Sequence, residues 1–298
     1  MNQNQFLETY SQFLQKFLKP QKPLKVVFDC SNGMAGLVLK QLKIGEIKTY
    51  FINEKSDGNF PAHGPNPLNP GAANQLQSAV KKHQADLGII FDADGDRAFF
   101  VDNKGRLIDP DIIARLLVWQ LKPKKIVVDV ATGWLVKRLK IQNSGFKIIE
   151  SKVGHYFIKK MMRSENADFG AEQSGHYYFK KFFGLDSGIM AGIEVINAVS
   201  GLPYRLSDFI EFLPRYYHQE INIFVKKAEP VNLLKAVERT YQKEVKKVFR
   251  LDGLTMEFND WWFNLRFSQT EPLARLNIET KEKSKLQKES NQIKKFFK

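Results

Sequence analysis

The chain has 298 residues, of which 43% are hydrophobic and 26% are charged, a globular composition that argues against a disordered or fibrous protein. No run of about 18 apolar residues occurs, so we expect no transmembrane helix and no membrane partner. The formal net charge of +14 favours anionic partners, either phosphorylated metabolites or nucleic acid. Because no zinc-finger spacing or aromatic and basic single-strand motif accompanies that charge, we expect no nucleic-acid partner.

The single cysteine, Cys30, excludes an internal disulfide and is typical of a reducing compartment. We interpret its side chain as a small buried group at the end of a strand in preference to a reactive thiol. The stretch 1–20 is polar and helix-like and lacks the charged-then-apolar layout of a signal peptide. These features predict a cytoplasmic protein.

Short apolar runs alternate with helical periods over the first two thirds of the chain, the pattern of βαβ units. Two blocks of similar layout result, with predicted boundaries at 1–103 and 104–218. In the first we expect a strand at 24–29, a helix at 37–42, a strand at 46–53, a helix at 71–83, a strand at 85–92 and a hairpin over 98–109. In the second we expect a helix at 109–121, a strand at 124–130, a helix at 131–140, a strand at 146–151, a helix at 154–164, a short strand and loop over 168–179, and a helix at 186–200.

The pattern changes after residue 218, where polar and apolar residues alternate as in antiparallel strands. This alternation covers 220–226 and 255–268, and helical periods lie near 231–245 and 281–296. We therefore predict a smaller α+β domain at 219–298.

Three aspartates, Asp92, Asp94 and Asp96, alternate at the end of the apolar run in "IIFDADGDR". Carboxylates this close repel each other unless a cation neutralises them, and all-oxygen ligation suits a hard divalent ion such as Mg²⁺. Gly95 permits a tight turn, and Arg97 supplies a planar donor for either a phosphate or an orienting carboxylate. We predict a Mg²⁺ site here in preference to a solvated acidic turn.

Two other loops are rich in polar side chains. In "AEQSGH", a spacing of two predicts that Glu172, Ser174 and His176 lie on one face of an extended segment, where they would bind sugar hydroxyls. A polar surface loop is an equal alternative. In "RFSQTEP", the guanidinium, amide and hydroxyl groups predict a phosphate cradle, although alone this stretch is better interpreted as a turn between two strands. The cradle residues are Arg266, Ser268, Gln269 and Thr270.

Together these loops resemble the α-D-phosphohexomutase superfamily, most closely its bacterial phosphomannomutase/phosphoglucomutase branch. The similarity covers essentially the whole chain. It is carried by "FDADGDR", "AEQSGH" and "RFSQTEP", and further by "DCSNGMAG" at 29–36, "DGNFPAHGPNPLNP" at 57–70 and "KVGHYFIKKMM" at 152–162. The resemblance implies two consecutive mixed-sheet α/β domains followed by a smaller α+β C-terminal domain.

The resemblance also implies an isomerase that interconverts hexose 1-phosphate and hexose 6-phosphate. In that family a phosphoserine on a first domain donates its phosphoryl group to the sugar, with Mg²⁺ as cofactor. By matching positions, the implied metal ligands are Asp92, Asp94 and Asp96, with Arg97 as a supporting group near the phosphate. The residues implied for the sugar are Glu172, Ser174 and His176, and those for the other phosphate are Arg266, Ser268, Gln269 and Thr270. His155 is implied either for the same cleft or for a helix start.

The sequence departs from the family pattern in one decisive respect. No serine here is followed by His-Asn-Pro, the surroundings of the family's phosphoserine, and Met1 falls on a helix that resembles the lead-in to the second domain. We therefore expect domains two, three and four only, without the catalytic nucleophile. Ala131 stands where a basic residue is common, and Gln269 where Gly or Asn is usual.

Two functions stay open after this comparison. One is a mutase whose first domain either is missing from this sequence or is encoded by a separate, neighbouring reading frame. A separately encoded first domain would be its partner, together with the hexose phosphate. The other is a non-catalytic phosphosugar-binding remnant or regulator. Glucose and mannose phosphates are equal candidates for either.

Overall fold

A computed structural model describes residues 3–43, 45–139, 145–225, 230–268 and 271–297. The described residues form three five-stranded sheets. The chain divides into two compact units, each described by itself. Unit 1 comprises Met1–Val127, Lys140–Ile148 and Lys159–Leu213, and unit 2 comprises Val128–Leu139, Ile149–Ile158 and Pro214–Lys298.

The first sheet has the strand order β2-β1-β3-β4-β5 and is mixed. β1 pairs in parallel with β2 and β3, whereas β3–β4 and β4–β5 are antiparallel. Its strands are β1 (Lys25–Asp29), β2 (Lys48–Ile52), β3 (Leu87–Phe91), β4 (Ala98–Asp102) and β5 (Leu107–Ile108), and its helices are α1 (Gln3–Gln15), α2 (Ala35–Leu39) and α3 (Asn74–His83). Leu76 and Val80 of α3 pack on Val27, Ile90 and Val101 of the sheet.

Cys30 follows β1 directly and is fully buried. Burial, with a smaller contribution from the neighbouring charge of Asp29, raises the pKa of the Cys30 thiol to about 12. The prediction of a buried, unreactive side chain at a strand end is confirmed.

The second sheet has the strand order β10-β9-β8-β6-β7. Its strands are β6 (Lys125–Asp129), β7 (Lys147–Ser151), β8 (Phe169–Ala171), β9 (Tyr177–Phe179) and β10 (Leu185–Asp186). The helices of this part are α4 (Pro110–Leu121), α5 (Trp134–Lys137), α6 (His155–Ser164), α7 (Gly188–Gly201) and α8 (Leu206–Glu211), with a 3₁₀ turn at Lys180–Phe182. The Asp109 side chain caps α4 by accepting from the Asp111 N–H, and Pro110 takes the first turn, where its missing N–H costs nothing.

The third sheet is antiparallel throughout, in the order β11-β15-β14-β13-β12. Its strands are β11 (Tyr217–Phe224), β12 (Lys247–Phe249), β13 (Leu254–Glu257), β14 (Trp261–Phe267) and β15 (Leu273–Thr280), and its helices are α9 (Pro230–Tyr241) and α10 (Lys283–Lys294), followed by a 3₁₀ turn at Lys295–Phe297. One face buries Met256, Phe263 and Ile278 against Val237 of α9 and Ile293 of α10. The alternate residues of the same strands are largely polar.

The predicted fold class, two α/β domains followed by an α+β domain, is confirmed. Each predicted strand has a counterpart, but β10, β12 and α8 were not predicted because two to six residues show too little of either period. β15 was anticipated only in the alternative interpretation of "RFSQTEP" as a turn between two strands. The domain boundaries 1–103, 104–218 and 219–298 stay predictions. Within the described ranges, no helix is long and apolar enough to cross a lipid bilayer.

Candidate functional site

The three predicted metal ligands lie on the turn between β3 and β4. One carboxylate oxygen from each of Asp92, Asp94 and Asp96 lies within 4.8 Å of the others. Asp92 is buried, Asp96 is partly buried and Asp94 is exposed. Gly95 adopts a φ of 79°, the left-handed conformation that the tight turn requires. Three converging oxygen donors open to solvent on one side fit a hard divalent cation.

Two glycines hold the backbone of this loop in place. A Cβ on Gly33 would lie 2.3 Å from the Ala93 carbonyl oxygen, and one on Gly188 would lie 2.4 Å from the Arg97 carbonyl oxygen. The Gly188 N–H, at the start of α7, donates to the Gly95 carbonyl at 3.0 Å. The loop is therefore fixed between two segments that approach it too closely for any side chain.

Arg97 orients the buried carboxylate of Asp92. Its Nε donates to Asp92 Oδ2 at 2.6 Å, and its Nη1 reaches the Asn66 side-chain oxygen at 3.3 Å. The other oxygen of Asp92 accepts from the backbone N–H groups of Gly95 and Arg97. Of the two roles predicted for Arg97, the geometry supports that of an orienting partner for a carboxylate.

The carboxylates of this turn differ in their ionisation. Burial, reinforced by the neighbouring Asp96, raises the pKa of Asp92 to about 6. A hydrogen bond with His176 lowers the pKa of Asp96 to about 2, against an opposing effect of burial. A cation bound between them would favour the ionised form of both.

Glu172, Ser174 and His176 lie in a turn between β8 and β9. The Gly175 N–H donates to the Glu172 carbonyl at 3.1 Å, and Gly175 has a φ of 86°. The expectation of an extended segment is therefore wrong, because Gly175 closes a turn that β-strand spacing does not anticipate. The side chains nevertheless meet: Ser174 Oγ donates to Glu172 Oε2 at 3.2 Å and lies 2.8 Å from His176 Nδ1, and the Tyr178 hydroxyl donates to the same carboxylate at 3.0 Å.

This turn is joined to the metal loop within unit 1. Arg97 and His176 form an antiparallel backbone bridge, and the Ala98 N–H donates to the Gly175 carbonyl at 3.1 Å. His176 Nε2 lies 3.5 Å from Asp96 Oδ2. Burial opposes a charge on the imidazole, but its hydrogen bonds with Asp96 and Glu172 outweigh that effect and raise the pKa of His176 to about 9. His176 is therefore a cation that links the two loops at neutral pH.

Sequence reasoning missed Asp186, on β10. One of its carboxylate oxygens lies within 4.8 Å of ligand atoms of Asp96 and His176. Lys159 Nζ contacts Asp186 Oδ1 at 2.8 Å, and Oδ2 is buried without a hydrogen-bond partner in the described part of the chain. In the sequence, Asp186 directly precedes Ser187, which caps α7. An aspartate in that position resembles part of an ordinary helix start, so it did not indicate a role in the site.

The predicted phosphate loop belongs to unit 2. Arg266 lies near the end of β14, and Ser268 starts the turn into β15, where its hydroxyl accepts from the Glu271 N–H at 3.2 Å. Gln269 and Thr270 lie outside the described residues. His155, also in unit 2, is the exposed first residue of α6, so both of its predicted roles stay open.

Comparison with known proteins gives two consecutive family matches along the chain. The family description "Phosphoglucomutase/phosphomannomutase, alpha/beta/alpha domain II" matches residues 4–105, and its domain III counterpart matches residues 109–216. The phosphomannomutase of Escherichia coli is 36% identical over 274 residues, which cover 89% of this chain and 60% of that protein. The phosphomannomutase of Methanocaldococcus jannaschii is 35% identical over 295 residues, which cover 97% of this chain and 64% of that protein.

A crystal structure shares the fold as well. A phosphoglucomutase/phosphomannomutase family protein from Burkholderia thailandensis matches with a TM-score of 0.84 and 26% identity, over 97% of this chain and 63% of that one. The chain thus spans about three fifths of the length of the curated relatives named above. Two consecutive domain matches, the sequence relatives and the shared fold agree with one another. The chain therefore belongs to the phosphoglucomutase/phosphomannomutase family of the α-D-phosphohexomutase superfamily.

Proposed function

We propose that this chain supplies the metal, sugar and phosphate-binding residues of a phosphohexomutase, which interconverts hexose 1-phosphate and hexose 6-phosphate. The observation that carries the proposal is the junction of the metal loop with the sugar loop, where Asp96 and His176 lie 3.5 Å apart. Relatives named phosphomannomutase support the reaction class. The single buried cysteine is compatible with a reducing compartment, and we place the protein in the cytoplasm.

Each loop would have a separate task in this reaction. A Mg²⁺ ion held by Asp92, Asp94 and Asp96 would stabilise negative charge on a transferring phosphoryl group. Burial opposes a charge on His176, but Asp96 and Glu172 raise its pKa, so its imidazolium would add positive charge at the same place. Glu172 is an acceptor for sugar hydroxyls, held in orientation by the hydroxyls of Ser174 and Tyr178. In unit 2, Arg266 and Ser268 would donate to the phosphate that is not transferred.

The reaction needs a covalent phosphoryl carrier, and no serine of the 298 residues is followed by His-Asn-Pro. We propose that a serine-bearing first domain from outside this sequence supplies it. The same observation favours the second candidate, a phosphosugar-binding remnant or regulator without turnover. A mutase assay with and without a first domain separates the two candidates, because only the first predicts activity on addition.

Asp94→Asn is expected to weaken Mg²⁺ binding about tenfold, since it removes one of three charged oxygen ligands. Asp94 is exposed, so the substitution leaves the buried contacts of the loop intact. Calorimetric titration with Mg²⁺ measures the effect. The matched control is Asp260→Asn, which removes a carboxylate that contacts Lys285 in unit 2. Identical isotherms for Asp94→Asn and the parent would refute the metal-loop assignment.

Arg266→Ala is expected to lower the affinity for glucose 6-phosphate by about 1.5–3 kcal/mol, the range for a hydrogen bond to a charged group. The expectation depends on a phosphate accepting from the guanidinium, which has no ion pair with any described residue. Calorimetry is again the measurement. Arg250→Ala, at an exposed arginine of the same unit, controls for the loss of one positive charge. Equal binding by Arg266→Ala and the parent would place the phosphate elsewhere.

A further inference from the structure

We propose that Asp96, His176 and Asp186 form a second cation site in unit 1, which takes Zn²⁺ and shares Asp96 with the metal loop. One ligand atom from each of the three residues lies within 4.8 Å of the others. Zn²⁺ binding there is separate from the proposed reaction, and only Asp96 belongs to the predicted Mg²⁺ ligands.

The donor atoms of this group differ from those of the metal loop. Asp92, Asp94 and Asp96 offer oxygen alone, which suits Mg²⁺, whereas the second group combines two carboxylates with an imidazole. Imidazole nitrogen suits Zn²⁺, and three protein ligands with one open position are the usual composition of an accessible zinc site. The ligand chemistry therefore favours Zn²⁺ over Mg²⁺ at the second group.

Asp186 has an unused acceptor that points to a ligand. Its side chain is only 7% exposed, and Oδ2 is buried without a hydrogen-bond partner in the described part of the chain. Lys159 Nζ contacts Oδ1 at 2.8 Å, so the carboxylate is held in orientation while its other oxygen accepts from none of the described groups. A buried carboxylate oxygen in that condition is costly, and a bound cation would remove the cost.

The hydrogen bonds of His176 leave Nε2 as the nitrogen that faces a metal ion. Nδ1 lies 2.8 Å from Ser174 Oγ and 3.2 Å from Glu172 Oε2, whereas Nε2 lies 3.5 Å from Asp96 Oδ2. Metal-binding histidines commonly donate from the second ring nitrogen to a carboxylate in this way. Ligands about 2.0–2.2 Å from a tetrahedral ion are about 3.3–3.5 Å apart, so Asp96 and His176 have the spacing of two zinc ligands.

The backbone holds the three ligands near one another before any ion binds. Arg97, next to Asp96, forms an antiparallel bridge with His176. Asp186 lies opposite Tyr178 in the β9–β10 pair, and Tyr178 follows His176 by two residues. The Asp96 side chain is 36% exposed, which gives an ion access from solvent. Ordered ligands with an open approach lower the entropic cost of binding.

The test is calorimetric titration of the full chain with ZnCl₂ and, separately, with MgCl₂. It is made at about pH 8, because Zn²⁺ has to displace a proton from His176. Asp186→Asn and His176→Gln are expected to lower the affinity for Zn²⁺ about 10- to 100-fold and to change that for Mg²⁺ by less than about fivefold. Asp94→Asn should show the reverse pattern, and Asp96→Asn should weaken the binding of both ions.

His83→Gln, at an imidazole of α3 outside the group, is the matched control and should bind Zn²⁺ as the parent does. A parent chain that binds no Zn²⁺ would overturn the inference. Zn²⁺ affinities of Asp186→Asn and His176→Gln equal to that of the parent would overturn it too.

The fate of the Mg²⁺ assignment is read separately in the same experiment. If Asp94→Asn weakened Zn²⁺ binding and Asp186→Asn did not, Zn²⁺ would occupy the metal loop, and only the second site would be refuted. A parent chain that binds Zn²⁺ through Asp186 but binds no Mg²⁺ would support the second site and refute the metal loop. Thermal melts identify any variant that fails to fold, and Asp186→Asn, which keeps an oxygen for Lys159, then decides.

Discussion

The purified chain is expected to show no mutase turnover with Mg²⁺, glucose 1-phosphate and glucose 1,6-bisphosphate, and to gain turnover when a serine-bearing first domain of a family member is added. The sugar must exchange phosphoryl groups with a fixed side chain while it reorients, and the loops of this chain only position groups and neutralise charge. A coupled assay that follows glucose 6-phosphate measures both results.

The control for this assay is Asp94→Asn in the reassembled mixture, which should reduce turnover by about a hundredfold, the effect typical of removing one electrostatic contact to a transition state. Activity of a host mutase carried through purification would be the same for Asp94→Asn and the parent. Turnover by the chain alone that disappears in Asp94→Asn would show that a carrier residue lies within these 298 residues. Phosphopeptide mapping would then locate it.

Gly188→Ala is expected to lower the free energy of unfolding by about 2–3 kcal/mol, even though alanine favours helices by up to about 1 kcal/mol over glycine. The added Cβ would lie 2.4 Å from the Arg97 carbonyl oxygen and 3.0 Å from the Gly95 carbonyl oxygen, both in the backbone of the metal loop. Because backbone atoms cannot rotate away, either α7 or the loop must shift. Urea unfolding measures the change in the free energy of unfolding, and titration with Mg²⁺ measures the affinity of the metal loop for the ion.

Gly58→Ala is the matched control, since no atom beyond its two chain neighbours would lie within 4 Å of its added Cβ. We expect its free energy of unfolding to stay within the range of ordinary surface substitutions, about 0.5 kcal/mol from the parent. Equal midpoints for Gly188→Ala and Gly58→Ala would mean that α7 does not restrain the metal loop.

Most strands and the metal loop were predicted from the sequence because each has a strong local signal. β3 is an unbroken buried apolar run, and Asp92, Asp94 and Asp96 follow it at once. The contact between Asp96 and His176 has no such signal, since it depends on how distant loops meet in the folded unit.

The two errors at the site have local causes. A spacing of two in Glu172, Ser174 and His176 imitates a strand, and only the positive φ of Gly175 makes the segment a turn. Asp186 was overlooked because aspartate is common before helices, so its type and position gave no reason to assign it a role in the site. Predicting the turn would have required the backbone conformation of Gly175, and assigning Asp186 would have required knowledge of its tertiary neighbours.

The buried thiol of Cys30 makes this chain convenient for fluorescence work. Thiol-reactive dyes modify thiolates, and a group that is fully buried with a pKa of about 12 presents almost none near neutral pH. Since the sequence has no other cysteine, one introduced on the open turn at Gly58 becomes the single attachment point for a dye. Energy transfer from that dye to a labelled first domain would report assembly directly, without any engineering to remove the native cysteine.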